Sequence, residues 1–214
     1  MRLGEGIWAV YKPKGISSNG LLERLRRMTG IRKIGHAGTL DPLASGVLVV
    51  GIGKATAELA RLVDKEKEYI ATIRLGLSST TDDEEGVKTA KEAVQPPTRG
   101  EIRAALKAFV GEIEQVPPDF SAVKVKGVEA YKLARRGKVV SLKPRKAIIK
   151  RLVIISYRWP CLKIRAVTGP GVYVRSLARD IGQSLGTLGY VADLERVRVG
   201  EFTLKNALRL DQPR

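Results

Sequence analysis

The sequence predicts one α+β domain built around a large sheet. Segments with the alternating or continuous apolar character of strands are interleaved with segments in which apolar residues recur at helical spacing. The chain has 214 residues, of which 43% are hydrophobic, so it can bury a sizeable core. It contains no internal repeat, no low-complexity tract and no long Ser/Gly linker that would mark a second domain.

The N-terminal part of the chain predicts a strand, a helix and a buried strand in that order. Residues 7–11 alternate like a strand and stop at the turn in residues 12–15. Apolar residues then recur at helical spacing over residues 21–28, after serines that can cap a helix and before Gly30, which suits a C-terminal cap. Residues 46–51 are a short apolar run typical of a buried strand.

The rest of the chain continues this alternation of helices and strands. The predicted elements up to residue 125 are a helix over 55–63, a strand over 67–75, a polar loop over 78–86, a helix opened by a Thr98/Glu101 capping box and a short apolar run over 121–125. They continue with a basic helix over 130–137, two strands over 145–159 and 161–168 hinged near Pro160, a helix over 172–185 and a strand pair or strand-turn element over 191–202.

The charge of the chain indicates a polyanionic partner. Lys and Arg total 39 against 22 Asp and Glu, which gives a formal net charge of +17. Nucleic acid is the commonest partner of so basic a protein. Aromatic residues make up only 5% of the chain, which argues against long stacking platforms for single strands. A generally basic surface, as in some thermophilic proteins, is the alternative explanation.

Composition also excludes several classes of protein. No apolar run approaches the roughly 20 residues that a membrane-spanning helix needs, and the N-terminus lacks the apolar stretch of a signal peptide. Cys161 is the only cysteine and His36 the only histidine, so an internal disulfide is impossible and a structural zinc site is not expected. A reducing cytoplasmic environment fits this composition.

The candidate catalytic stretch is residues 35–42, which contain His36 and Asp41. Asp41 precedes Pro42, and a residue before proline is restricted to extended backbone conformations, so its side chain leaves a stiff stem. The stretch leads into the apolar strand over residues 46–51, which is how a core strand presents a catalytic loop. Asp-Pro is also a common turn initiator, and this alternative remains open from the residues alone.

Nine stretches of the chain, in order, resemble the TruB-type tRNA pseudouridine synthases. They are Lys12-Pro13 with Gly15, Gly35 to Pro42 with Gly46-Val47-Leu48, Gly53-Lys54-Ala55-Thr56, Lys67-Glu68-Tyr69-Ile70-Ala71, Thr81-Asp82 with Gly86, Ser121 to Val125, Ala130-Tyr131 with Ala134 to Gly137, Tyr173 to Leu177, and Val199 to Phe202. The resemblance implies one catalytic domain over residues 1–214, with a large mixed, mainly antiparallel sheet flanked by helices and an RNA-contacting insertion near residues 120–145. We expect no C-terminal RNA-binding domain of the PUA type in this chain.

The resemblance implies that the chain converts uridine to pseudouridine and assigns the catalytic residues. The family's nucleophile falls on Asp41, which attacks the ribose or stabilises its positive charge. Arg175 matches the family's basic partner of this aspartate and is expected to favour the ionised carboxylate. Tyr69 matches the tyrosine that stacks on the flipped uracil. Its ordinary pKa near 10 makes it a poor base at neutral pH, so whether it also accepts a proton stays open.

Six further residues match family positions that contact the substrate. His36 is expected to fill the gap left by the displaced bases, and a Ser-His-Asp triad is disfavoured because no serine has a distinctive nucleophile sequence around it. Lys12 and Tyr173 match pocket residues. Lys124, Arg135 and Arg136 match segments that approach the RNA backbone, where cations position the RNA without reading its sequence.

The resemblance also implies the substrate and the absence of a cofactor. The expected substrate is uridine-55 in the T loop of tRNA, bound as the T stem-loop by a monomer that has no membrane partner. No cofactor and no metal are required, because the uracil is rejoined to the same sugar and no water has to be activated. The alternatives are a guide-RNA-dependent rRNA pseudouridine synthase and a non-catalytic RNA-binding or tRNA-folding module.

Overall fold

The computed structural model of the protein describes residues 3–92, 94–125, 127–137 and 141–210. The helices are α1 (Ser18–Thr29), the 3-10 helix Gly53–Glu58, α2 (Leu59–Val63), α3 (Arg99–Ala108), α4 (Ala130–Ala134) and α5 (Val174–Ser184). The strands are β1 (Gly6–Lys12), β2 (Ile34–His36), β3 (Ser45–Ile52), β4 (Lys67–Leu75), β5 (Leu77–Ser79), β6 (Lys88–Ala90), β7 (Gly111–Gln115), β8 (Lys124–Val125), β9 (Val128–Glu129), β10 (Arg145–Arg158), β11 (Cys161–Thr168), β12 (Gly189–Val199) and β13 (Phe202–Thr203).

A nine-stranded mixed sheet is the largest sheet of the described residues. Strand β3 pairs antiparallel with β1 and β2, whereas β12 pairs parallel with β3. Strands β11, β10 and β7 are neighbours in that order, and β10 and β7 are antiparallel. The predicted α+β class with a large mixed sheet is confirmed. None of the described helices is long and apolar enough to cross a membrane.

The chain divides into two compact units. The first contains Met1–Ile70, Val167–Pro170 and Leu194–Arg214, and the second contains Ala71–Ala166 and Gly171–Asp193. The predicted single domain over residues 1–214 stays a prediction. Residues 126 and 138–140 of the predicted insertion, and the chain ends at 1–2 and 211–214, lie outside the described residues.

One apolar cluster of the first unit lies between α1 and strand β3. All eight residues of β3 are buried, which is what its continuous apolar run predicts. Leu21 and Leu25 of α1 are fully buried and pack in one cluster with residues of β1 and β3. The side chain of Ser17 accepts a hydrogen bond from the Gly20 amide at the start of α1, and Gly30 ends the helix in the left-handed conformation (φ 73°).

The second unit contains the long strand β10 and the helices α3 and α5. The predicted capping box at the start of α3 is present, with Thr98 and Glu101 bonding each other's amides. The helix predicted over residues 172–185 starts later, and one strand is present that the sequence did not predict. Helix α5 begins at Val174 because Tyr173 has an extended backbone, and the chain after α3 forms strand β7, which apolar periodicity did not predict.

Candidate active site

Asp41 lies in the loop between β2 and β3 and is half-buried. The residue before it, Leu40, is held on both sides of its backbone by the buried hydroxyl of Ser18. The Leu40 amide donates to Ser18 Oγ at 2.9 Å, and Ser18 Oγ donates to the Leu40 carbonyl at 2.9 Å. Because Ser18 is on helix α1 and is only 2% exposed, the helix fixes the peptide next to the carboxylate.

Arg196 of β12 holds the same loop from a second direction. Its guanidinium, in a side chain 1% exposed, donates to the carbonyls of Val47 at 2.8 Å, Gly38 at 3.0 Å and Thr39 at 3.3 Å. A planar guanidinium has several donors in a fixed arrangement, so one side chain can satisfy all three carbonyls. Arg196 therefore joins the loop before Asp41 to the strand that follows it.

Lys12 of β1 holds the residue on the other side of Asp41. Its ammonium group donates to the carbonyls of Pro13 at 2.9 Å, Ile16 at 2.8 Å and Pro42 at 3.3 Å. Burial lowers the pKa of Lys12 to about 8, although the negative charge of Asp41 raises it. The predicted substrate-binding role of Lys12 stays a prediction, and the structure shows that its ammonium positions the backbone beside Asp41.

The glycines of this region make the close backbone approach possible. Gly46 of β3 faces Arg196 in the parallel pair, with φ at +111°, and a Cβ built on it would stand 2.2 Å from the Arg196 carbonyl oxygen. Only glycine avoids both the contact and the strain. With residues 38, 39, 40 and 42 all fixed by buried side chains, Asp41 presents its carboxylate from a backbone that has little freedom to move.

His36 and Tyr69 are the two aromatic site residues predicted in the first unit. His36 ends β2, and its Nδ1 is buried without a hydrogen-bond partner among the described residues. Burial, and to a smaller extent the charge of Arg196, lowers the pKa of His36, so the ring is neutral at pH 7. Tyr69 lies on β4 at a buried position of an alternating strand and is 8% exposed. The buried, neutral ring of His36 suits packing better than proton transfer, and the role of Tyr69 stays a prediction.

Arg175 and Tyr173 lie at the start of α5 in the second unit. The Arg175 side chain is buried and donates to the carbonyls of Thr81 at 3.2 Å and Phe120 at 3.0 Å, and it forms a salt bridge with Asp83 at 3.4 Å. The backbone of Tyr173 is held on both sides by the amide of Gln115, which accepts from its N–H at 2.8 Å and donates to its carbonyl at 3.0 Å.

The remaining predicted residues are exposed cations. Lys124 lies in the β8–β9 hairpin, and Arg135 and Arg136 follow helix α4. The Arg135 guanidinium lies over the Tyr131 ring, 5.7 Å from its centre. Exposed cations of this kind suit contacts with RNA phosphates.

Sequence reasoning missed the residues that position the site. At Ser18 the sequence signals only a helix cap, at Gln115 it predicts no element, and nothing in it distinguishes Arg196 from Arg198 of the same strand. Alternate positions of a strand lie on the same face, so strand periodicity does not indicate that Arg196 is buried while Arg198 stays partly exposed. Among the described residues, no group of His, Cys, Asp and Glu could hold a metal ion.

Comparison with known proteins identifies relatives over nearly the whole chain. The family model "TruB family pseudouridylate synthase (N terminal domain)" matches residues 26–174. The tRNA pseudouridine synthase B of Thermobifida fusca is 43% identical over 98% of this chain and 74% of its own length. The protein of the same name from Ehrlichia chaffeensis is 47% identical over 94% of this chain and 68% of its own length.

Solved structures share the fold. A chain of a Cbf5-Nop10-Gar1 complex is similar with a TM-score of 0.76 and 28% identity over 96% of this chain. A chain of an H/ACA RNP bound to a substrate RNA containing 2'-deoxyuridine gives a TM-score of 0.72 at 25% identity. This chain spans about half the length of both, 52% and 51% respectively.

Proposed function

Because the chain belongs to the TruB family of pseudouridylate synthases, we propose that it acts on tRNA and modifies uridine-55 of the T loop. It is an isomerase that converts uridine in RNA to pseudouridine. The observation that supports tRNA is the identity of 43% and 47% to proteins named tRNA pseudouridine synthase B, against 28% to a chain of the Cbf5-Nop10-Gar1 complex. A monomer working in the cytoplasm is part of the proposal.

The proposed reaction needs no cofactor, because the substrate and the product contain the same atoms. The bond between C1′ of the ribose and N1 of uracil breaks, the uracil rotates, and its C5 bonds to C1′. The proton on C5 is lost and N1 gains one, so the product is an isomer of the substrate. A carboxylate is the group that glycosidases use at the same type of bond, as a nucleophile or as a stabiliser of the positive sugar. We assign that role to Asp41.

The hydrogen bonds that hold the loop around Asp41, here called the clamp, support this assignment. A carboxylate that meets a developing charge is most effective when its position is fixed before the reaction, because no reorganisation is then needed. Hydrogen bonds from Ser18, Arg196 and Lys12 fix the backbone on both sides of Asp41. Stacking by Tyr69, proton transfer by Tyr69 and assistance by Arg175 remain proposals.

The substrate proposal is tested by mapping pseudouridine in unmodified tRNA by mass spectrometry after incubation with the purified chain. We expect one pseudouridine, at position 55, and the same modification in an isolated T stem-loop. Modification that requires an added guide RNA or partner proteins would favour the rRNA enzyme instead. Tight tRNA binding without any pseudouridine would favour the non-catalytic RNA-binding module.

A further inference from the structure

Helix α3 and strand β10 form a groove in the second unit that contains none of the predicted site residues. Its volume is about 470 Å³. The described residues that line it include three cations and no acid: Arg99, Arg103 and Lys107, all exposed, stand along α3. From these features we propose that the groove binds the backbone of an RNA strand, as a second RNA contact outside the catalytic site.

The spacing of the cations suits a strand of phosphates. Arg99, Arg103 and Lys107 are four residues apart, so they form one stripe along the helix with a rise of about 6 Å between neighbours. Successive phosphates along a nucleic-acid strand are separated by a similar distance. One strand can therefore place a phosphate on each cation in turn.

The three cations have no acidic partner in the described part of the chain. None of them forms a salt bridge with a described Asp or Glu, whereas Lys132 pairs with Glu129 and Lys146 with Glu112. The acid of the same helix, Glu101, accepts hydrogen bonds from the Thr98 amide and hydroxyl at 2.6 and 2.7 Å. The Glu101 carboxylate is hydrogen-bonded to Thr98 at the helix start and forms no salt bridge with the three cations. The positive charge of the stripe can therefore bind an anionic ligand.

The floor of the groove is apolar and suits sugars and bases. Leu152, Val153 and Ile154 of β10 line it and are half-buried, and Val110 at its rim is 44% exposed. A single RNA strand presents anionic phosphates on one side and flat bases on the other, which matches a cationic edge beside an apolar floor. An acidic peptide is the competing ligand for such a groove.

The test uses the full chain with Arg99→Gln, Arg103→Gln and Lys107→Gln combined. A matched control combines Arg27→Gln, Arg61→Gln and Lys205→Gln, three exposed cations of the first unit, and loses the same charge. The probe is a short adenosine-only RNA, which contains no uridine, so its binding does not depend on the proposed substrate. Fluorescence anisotropy across a salt series gives the dissociation constant and its salt dependence.

We expect the groove variant to bind this RNA at least tenfold more weakly than the wild type at low salt. The slope of log K against log salt should become shallower by about two, since three single-strand phosphate contacts contribute about 0.7 each. The control should stay within threefold of the wild type with an unchanged slope. Because exposed side chains are changed, both variants should melt like the wild type.

Three results would overturn the proposal. Equal losses in the two variants would show that only net charge matters. An unchanged affinity of the groove variant would show that RNA does not use the groove. Binding of an acidic peptide to the wild type but not to the groove variant, with RNA affinity unaffected, would make the groove a protein-docking site. Pseudouridine formation at saturating enzyme should be the same in both variants. If the wild type itself forms no pseudouridine, the proposed catalytic function fails, and the binding result for the groove is unaffected.

Discussion

The Asp41 loop and the segment that carries Lys124, Arg135 and Arg136 are built in opposite ways. In the loop, buried side chains from α1, β1 and β12 bond the backbone on both sides of the carboxylate. In the segment, Lys124 lies in a two-residue strand and Arg135 and Arg136 follow a five-residue helix, and all three side chains are exposed. The difference fits the two proposed tasks: bond chemistry at a sugar needs a fixed group, whereas phosphate contacts can be made by exposed side chains.

The largest effect should follow Asp41→Asn. The substitution keeps the size and the pre-proline geometry but removes the negative charge, so the single-turnover rate should fall to background. Affinity for tRNA should be unchanged or slightly tighter, because a negative charge near phosphate has gone. Rapid quench kinetics and filter binding on the same preparation measure both. A rate near that of the wild type would show that another group carries the chemistry.

Arg196→Met should be the next most severe change. It leaves the carbonyls of Gly38, Thr39 and Val47 without the guanidinium donor, which we expect to cost about 2–4 kcal/mol of unfolding free energy. The loosened loop should also slow single-turnover catalysis by about 10–100-fold. Urea unfolding and quench kinetics measure the two quantities.

Arg198→Met is the matched control for Arg196. Arg198 is on the same strand, is partly exposed and pairs with Glu66 and Glu68 and not with the loop carbonyls that Arg196 bonds. Its loss should cost about 1 kcal/mol or less and leave the rate unchanged. Equal slowing by both substitutions would mean that the strand as a whole, and not the clamp, controls the rate.

Ser18→Ala should have a smaller effect of the same kind. It removes two buried hydrogen bonds to Leu40, which we expect to cost about 1–3 kcal/mol and to slow the chemical step about 3–10-fold. The neighbouring Ser17→Ala removes a helix cap and should cost about 1 kcal/mol with no change in rate. If the melting temperature falls in both variants but the single-turnover rate falls in neither, the hydrogen bonds between Ser18 and Leu40 have no part in catalysis.

These clamps mark the limit of what the sequence predicted. Local signals predicted the caps of α1, the capping box of α3 and the buried strand β3, because each depends on residues close in the chain. The family resemblance predicted Asp41 as the nucleophile or charge-stabilising group. The role of Arg196 depends on pairing between strands about 150 residues apart, and no local pattern encodes that pairing.

Arg135→Gln combined with Arg136→Gln should weaken RNA binding without affecting the chemical step. Two lost phosphate contacts should make the slope of log K against log salt shallower by about 1.4–1.8 and weaken the dissociation constant about 3–10-fold. Titration of labelled T stem-loop at several salt concentrations measures both. An unchanged slope would remove these two arginines from the RNA interface.

His36→Phe should have the smallest effect. Burial, and to a smaller extent the charge of Arg196, lowers the pKa of His36 from its ordinary value, so the neutral ring is favoured at and above pH 7 and we expect its charge to have no role there. Phenylalanine keeps a flat ring, and the rate should stay within about threefold of the wild type, with a parallel pH profile. His36→Ala should slow the reaction more, since stacking contributes about 1–3 kcal/mol per base. A pH profile that changes shape in His36→Phe would indicate proton transfer by the histidine.

The proposed division between a fixed catalytic loop and an exposed RNA-contacting segment is tested most directly by one measurement. It is the single-turnover rate at saturating enzyme on the same T stem-loop, measured for Arg196→Met and for the combined Arg135→Gln and Arg136→Gln protein. Asp41→Asn gives the background rate. We predict that the Arg196 variant is slow even when all RNA is bound, and that the double variant reacts at the rate of the wild type. Equal rates for the two, at any level, would contradict the account.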